Sequence, residues 1–207
     1  MKTTVWEQRK VYDPALRIIH WWNALALVAL LATAWSSELF ERGPYEAVLW
    51  QIHIVLGYGL VIGLVARFTW GIVGPRHARF SDLWHPRAWL DALRRLRVRS
   101  SQRFGHNEFA SLAYLVVYAL IGTMVATGLA LAAIQHTTGP LAGVLGDMVW
   151  LKKVFREPHE AVATALAVFV GMHVAALVLH ERLERNHIAR SMLTGTQYRR
   201  RGEAHHA

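Results

Sequence analysis

Four histidines stand inside or at the ends of long apolar runs in this chain of 207 residues: His20, His53, His159 and His173. An imidazole carried into hydrocarbon is costly, which makes each one a functional candidate by position alone. The other eight of the twelve histidines are placed differently. His77, His85, His106, His187, His205 and His206 fall in polar segments, His136 follows the third apolar run, and His180 closes the fourth beside Glu181 and Arg182.

Spacing turns the four candidates into pairs. His159 and His173 are 14 residues apart, roughly 21 Å along a helix. Fourteen steps of about 100° make four turns less about 40°, so both project from one side. If successive helices run antiparallel, His20 lies at the depth of His173 and His53 at the depth of His159. Two imidazoles per level fall short of the three or four protein ligands that zinc takes. They suit bis-histidine ligation of an iron porphyrin, whose macrocycle supplies the other donors. Ala24, Gly57, Ala163 and Gly171 leave room beside the ligands for a flat ring. A polar core histidine bonded to a neighbouring helix is the plain alternative for any one of them. His180, seven residues past His173 on nearly the same face, is an alternative inner ligand.

The elements that must carry these residues are membrane helices. Apolar runs cover about 18–35, 48–70, 109–134 and 161–179. Each approaches or exceeds the ~18–20 residues that cross ~30 Å of hydrocarbon as a helix. The fold class expected is all-α, an integral-membrane four-helix bundle forming a single domain over 1–207. Ala32-Thr33-Ala34 has the form of a signal-peptidase site. The polar residues before the first run, and the length of that run, favour a retained helix. A short amphipathic helix on the membrane surface is expected over about 82–97. The tail from Tyr198 to Ala207 is expected to be disordered. Tryptophans at the span ends (Trp21, Trp22, Trp35, Trp50 and Trp70) fit interfacial belts.

Composition agrees and narrows the class. Hydrophobic residues make up 54% of the chain and charged residues 18%, clustered between the runs, as a membrane protein requires. The formal charge of +9 sits in linkers and tail, which points to anionic lipid and away from nucleic acid. Lys and Arg crowd the N-terminal segment, the second linker and the C-terminal tail, so both termini are expected in the cytoplasm. Cysteine is absent, which excludes thiolate ligation and covalent c-type attachment, so the porphyrin must be held by side chains and packing.

The ordered motifs resemble a known family. Val11-Tyr12-Asp13-Pro14, Arg17 and His20-Trp21 open the resemblance, followed by His53 with Gly57-Tyr58. Arg67-Phe68-Thr69-Trp70-Gly71 and Gly74-Pro75-Arg76-His77-Ala78-Arg79-Phe80 continue it. Gly105-His106-Asn107, His159-Glu160, His173 and Ser191-Met192-Leu193-Thr194-Gly195 complete it. The chain is similar to the bacterial cytochrome b561 group, which includes the b-type subunit of nickel–iron hydrogenases.

The resemblance implies a di-heme electron carrier of the bacterial inner membrane, with two non-covalent heme b groups. Its ligand pattern maps onto His20 with His173 and His53 with His159. A periplasmic dehydrogenase, a hydrogenase or a c-type cytochrome would be the electron donor, docking on the outer segment from Gln135 to Pro158, and the quinone pool the acceptor. Related formate dehydrogenase subunits place an asparagine before span three at the quinone, and Asn107 is the matching position. Here Asn107-Glu108-Phe109 replaces the commoner Asn-Pro or Asn-x-Gly, and an N-cap role fits Asn107 equally. Arg17 and Arg67, at the cytoplasmic ends of spans, either snorkel to headgroups or pair with heme propionates. The alternative activity that the resemblance allows is a self-sufficient superoxide:ubiquinone oxidoreductase.

Overall fold

A computed structural model describes residues 6–40, 43–83, 86, 108–184 and 188–200. Four of its helices are long and apolar enough to cross a membrane. α1 spans Pro14–Leu39, α2 Glu46–Val73, α3 Glu108–His136 and α5 Lys152–Glu184. A single turn, α4 (Ala142–Leu145), and the short α6 (Ile188–Thr194) complete the helical set.

Each long helix outruns its apolar core because local chemistry extends it. α1 begins at Pro14 under the side chain of Asp13, which accepts a hydrogen bond from the Leu16 N–H at 3.0 Å. Proline tolerates the first helical position, and an aspartate cap satisfies an otherwise orphaned donor. α2 stops at Gly74, with Pro75 immediately after. α5 starts at Lys152, so the charged half of the segment expected to be an outer loop is already helical. Lys153–Glu157 (3.5 Å) and Arg156–Glu160 (2.6 Å) face each other one turn apart along this extension. The rest of that segment holds α4 and a 3-10 turn at Val149–Leu151.

The helices pair as two hairpins, α1 on α2 and α3 on α5, which meet along α2 and α3. Their shared core is a layer of Leu27, Leu30, Leu31, Leu60, Ile121, Met124 and Leu166. Outward-facing residues such as Leu25, Val55, Ile62, Val116 and Val168 are exposed, as lipid-facing side chains should be.

The chain also makes a feature that an all-α expectation omits. β1 (Trp6–Lys10) and β2 (Thr196–Arg200) pair antiparallel, from Trp6 opposite Arg200 to Lys10 opposite Thr196. Residues 198–200, expected to be disordered, therefore belong to a strand, while 201–207 lie outside the described residues. The partner strand is almost the whole chain away, so no local pattern announces it. The ribbon puts both ends of the described chain on one side of the bundle. The surface helix expected over 82–97 falls almost entirely outside the described residues.

Beneath the ribbon, the motif residues near both termini interlock. Val11 and Tyr12 donate backbone N–H groups to the Gly195 carbonyl at 2.9 and 3.1 Å. Trp70 Nε1 donates to Asp13 Oδ1 at 3.1 Å, and Trp21 Nε1 donates to the Met192 carbonyl at 3.3 Å. The Arg17 guanidinium donates to the Leu193 carbonyl. Val11, Tyr12, Leu16 and Ala78 are buried there against Trp70 and Met192. Burial pushes the Tyr12 phenol above its ordinary value, and neighbouring Tyr114 adds to the effect.

Candidate functional site

The outer pair is formed. The rings of His53 on α2 and His159 on α5 lie with centroids 6.5 Å apart, inclined at 68°. Bonds of about 2 Å from a single metal to both imidazoles would set the ring centres about 6 Å apart. Each Nδ1 is engaged by a threonine on a third or fourth helix. Thr33 Oγ1 of α1 lies 3.0 Å from His53 Nδ1, and Thr127 Oγ1 of α3 lies 2.8 Å from His159 Nδ1. All four long helices thus contribute to this level.

The two rings line an apolar cleft with Gly57, Tyr58, Met124 and Gly128. With its open side included, the cleft holds about 500 Å³. A Cβ on Gly57 would meet nothing within 4 Å, whereas one on Gly128 would lie 3.2 Å from His159 Cε1. Among the described residues, the buried Tyr58 hydroxyl has no hydrogen-bond partner. Trp50 packs its ring edge-on against His53 at 5.6 Å. Two Nε2 atoms that no hydrogen bond is seen to occupy among the described residues, open space beside a glycine and an orphaned hydroxyl fit a flat, largely apolar macrocycle with polar edges.

The inner pair is set at the other end of the bundle. Trp22 Nε1 donates to the Gly59 carbonyl at 2.8 Å, and Asn23 Nδ2 donates to the Gly63 carbonyl at 3.2 Å. Counting antiparallel from these contacts puts His20 level with the last turn before Arg67. His173 is exposed and stacked on Phe169 at 5.8 Å, while His20 is half-buried with Trp21 on its edge at 5.7 Å. This level is more open than the outer one, and a Cβ on Gly171 would also meet nothing within 4 Å.

Arg67 turns into the bundle instead of reaching along it. It is 2% exposed, donates from Nε to the Tyr114 hydroxyl at 2.9 Å, and leaves one terminal nitrogen unpartnered. Phe80, Tyr114 and Tyr118 surround it, with ring centroids 4.7, 5.3 and 5.6 Å from the guanidinium carbon. Aromatic faces stabilise a cation but do not neutralise it. A buried arginine with an unpartnered terminal nitrogen, near the level of His20 along the bundle, suits an anionic group such as a heme propionate.

Several expected residues fall elsewhere. Arg17 is anchored to Leu193, with its Nε buried and unpartnered. Asn107 lies outside the described residues, as does the side chain of His180. His136 ends α3 and is exposed. The sequence pattern assigns no part in a ligand site to Thr127, Tyr114 or Tyr118, and marks Thr33 only within the Ala32-Thr33-Ala34 triplet. The matching of depths used for histidines, applied to hydroxyls in the same runs, would have found both threonines.

The chain is also similar to known proteins along nearly its whole length. The sequence model described as prokaryotic cytochrome b561 matches residues 11–195. A probable Ni/Fe-hydrogenase B-type cytochrome subunit of Cupriavidus necator is 28% identical, covering 89% of this chain and 85% of that protein. One of Azotobacter chroococcum is also 28% identical, with 89% and 86% covered. A putative protein-methionine-sulfoxide reductase subunit of Azospira oryzae is 28% identical over 83% of this chain and 92% of its own length. No solved structure matches the chain. Four apolar helices, paired histidines and a match across nearly the whole chain converge: it belongs to the prokaryotic cytochrome b561 family, multi-pass b-type cytochromes of the bacterial inner membrane that carry electrons on heme b.

Proposed function

We propose that this chain is a single-domain, di-heme electron carrier that links a redox partner at the outer membrane face to quinone at the inner one. The observation that carries the reading is the meeting of His53 and His159 at 6.5 Å, with each Nδ1 occupied and each Nε2 left for a metal. His20 and His173 form the second ligand pair. Two heme b groups, one per level, would supply one-electron carriage across the bilayer.

The chain's own residues hold, separate and poise these levels. The apolar lining of the outer cleft excludes water, and the Tyr58 hydroxyl offers a donor at its edge. Arg67 and Arg17 would face propionate charge at the inner level, where each has an unpartnered nitrogen. Asn107, just before α3, would contact quinone. Both termini face the cytoplasm in this reading, because Lys and Arg concentrate on the side of the terminal ribbon. A nickel–iron hydrogenase is the favoured donor, since that is what the names of several relatives say those proteins serve. Its docking surface would be α4 and the charged start of α5.

Heme stoichiometry tests the proposal. The purified protein should carry two low-spin hemes per chain by pyridine hemochrome and EPR. His53→Ala or His159→Ala should remove the outer one and His20→Ala or His173→Ala the inner one, each halving heme per chain. An intact protein without a low-spin heme would end the reading.

A further inference from the structure

We propose that Thr33 and Thr127 are positioning residues for the outer heme: each accepts the Nδ1–H of one histidine ligand, fixing its tautomer and strengthening its Nε2 as a donor. The inference rests on the ligand pair proposed above and adds residues from the two helices that contribute no ligand to that level.

A threonine hydroxyl has one hydrogen to donate. Thr33 Oγ1 lies 3.0 Å from the Ala29 carbonyl and 2.9 Å from the Leu30 carbonyl of its own helix. Thr127 Oγ1 lies 2.7 Å from the Thr123 carbonyl and 3.2 Å from the Met124 carbonyl. Carbonyl oxygens only accept, so each hydroxyl hydrogen belongs to the backbone. Turning it towards the imidazole would leave hydroxyl lone pairs against two carbonyl oxygens at contact distance. The hydroxyl oxygen must therefore accept, and Nδ1 of His53 and of His159 must carry the hydrogen. Nε2 is then the unprotonated nitrogen on both rings, as a metal ligand requires.

The arrangement has chemical consequences. Donation from Nδ1–H moves electron density onto the imidazole and makes Nε2 a stronger donor. A stronger donor pair favours ferric over ferrous iron and lowers the midpoint potential of that heme. Among the described residues, no hydrogen bond reaches the ring of His20 or His173, so the effect is expected at the outer level, where both threonines lie.

The test compares full-length Thr33→Val, Thr127→Val and the corresponding serine variants in the purified, heme-loaded protein. Valine keeps the shape and removes the acceptor. Each valine variant should raise the outer-heme midpoint and shift its low-spin EPR signal. It should also weaken outer-heme retention by about 10–100-fold, the usual cost of losing such a partner. Serine should restore wild-type behaviour, and the inner heme should be unmoved throughout. A purely packing role predicts no change with valine, and an unchanged midpoint and EPR signal would overturn the inference. If neither valine variant accumulates, Thr33→Cys and Thr127→Cys, weaker acceptors of similar size, must show a smaller shift of the same sign; no shift overturns it equally. Failure of the ligand pair itself reads differently, because the wild-type protein would then show no outer heme for threonine to influence.

Discussion

Leu166 stands seven residues beyond His159 on the same face of α5 and is wholly buried. Seven more residues lead to His173, so ligand, seal and ligand follow one another down a single stripe of the helix. Leu27, Leu30, Leu31, Leu60, Ile121 and Met124 close the layer around Leu166 from the other three helices. A dry partition of about one side-chain layer therefore keeps the two histidine levels apart. Leu166→Ala should leave a cavity and destabilise the bundle by about 2–5 kcal/mol. Thermal unfolding in detergent should show the loss, while heme per chain at low temperature stays at the wild-type value. Loss of heme without loss of stability would mean that Leu166 touches a macrocycle and does not act as a partition.

Arg67 carries its charge into a place where, among the described residues, no carboxylate pairs with it. Three aromatic rings and the Tyr114 hydroxyl are its neighbours, and one N–H remains free. Pairing with an anionic edge of the inner heme would satisfy it. Arg67→Met keeps the length and removes the charge. Losing one charge-assisted hydrogen bond, about 1.5–3 kcal/mol, should weaken inner-heme retention by about 10–100-fold. The midpoint of any inner heme that remains should fall, because a nearby positive charge favours the ferrous state. Redox titration followed at the Soret band measures both, and an unchanged inner heme would assign Arg67 to packing alone.

The depth of each histidine could be read from sequence because a membrane helix has a fixed rise and a fixed angle per residue. That regularity is why His53 and His159 were expected to meet and do lie together. Arg67 was readable only to two alternatives, since a long side chain can run along a helix or across it. Packing against Phe80 and Tyr118 turns it across the bundle and away from the headgroups, while its pairing with a propionate stays a proposal. Thr33 was noticed for a different reason, as the centre of a small-residue triplet, and Thr127 for none. A hydroxyl in an apolar run usually bonds its own backbone, and its second partner appears only when another helix is placed beside it. The terminal ribbon was invisible for the same reason, since β1 and β2 have no partner within reach in the sequence.

Asp13 performs two tasks with one oxygen. Oδ1 caps α1 through the Leu16 N–H and also accepts from Trp70 Nε1 at the end of α2. The cap is local, whereas the Trp70 contact joins the first helical hairpin at its base. Asp13→Ala removes both and should cost about 1–2 kcal/mol, the usual value of a helix cap. Trp70→Phe removes only the cross-helix hydrogen bond and part of the packing on Tyr12 and Leu16. If the shared contact matters, the two substitutions together should cost less than the sum of each alone, by about 0.5 kcal/mol or more. Unfolding of the four proteins of this cycle in one detergent measures the difference. Strict additivity would mean that Asp13 acts as a cap only, and that the hairpin base is held by Arg17 and the Gly195 turn instead.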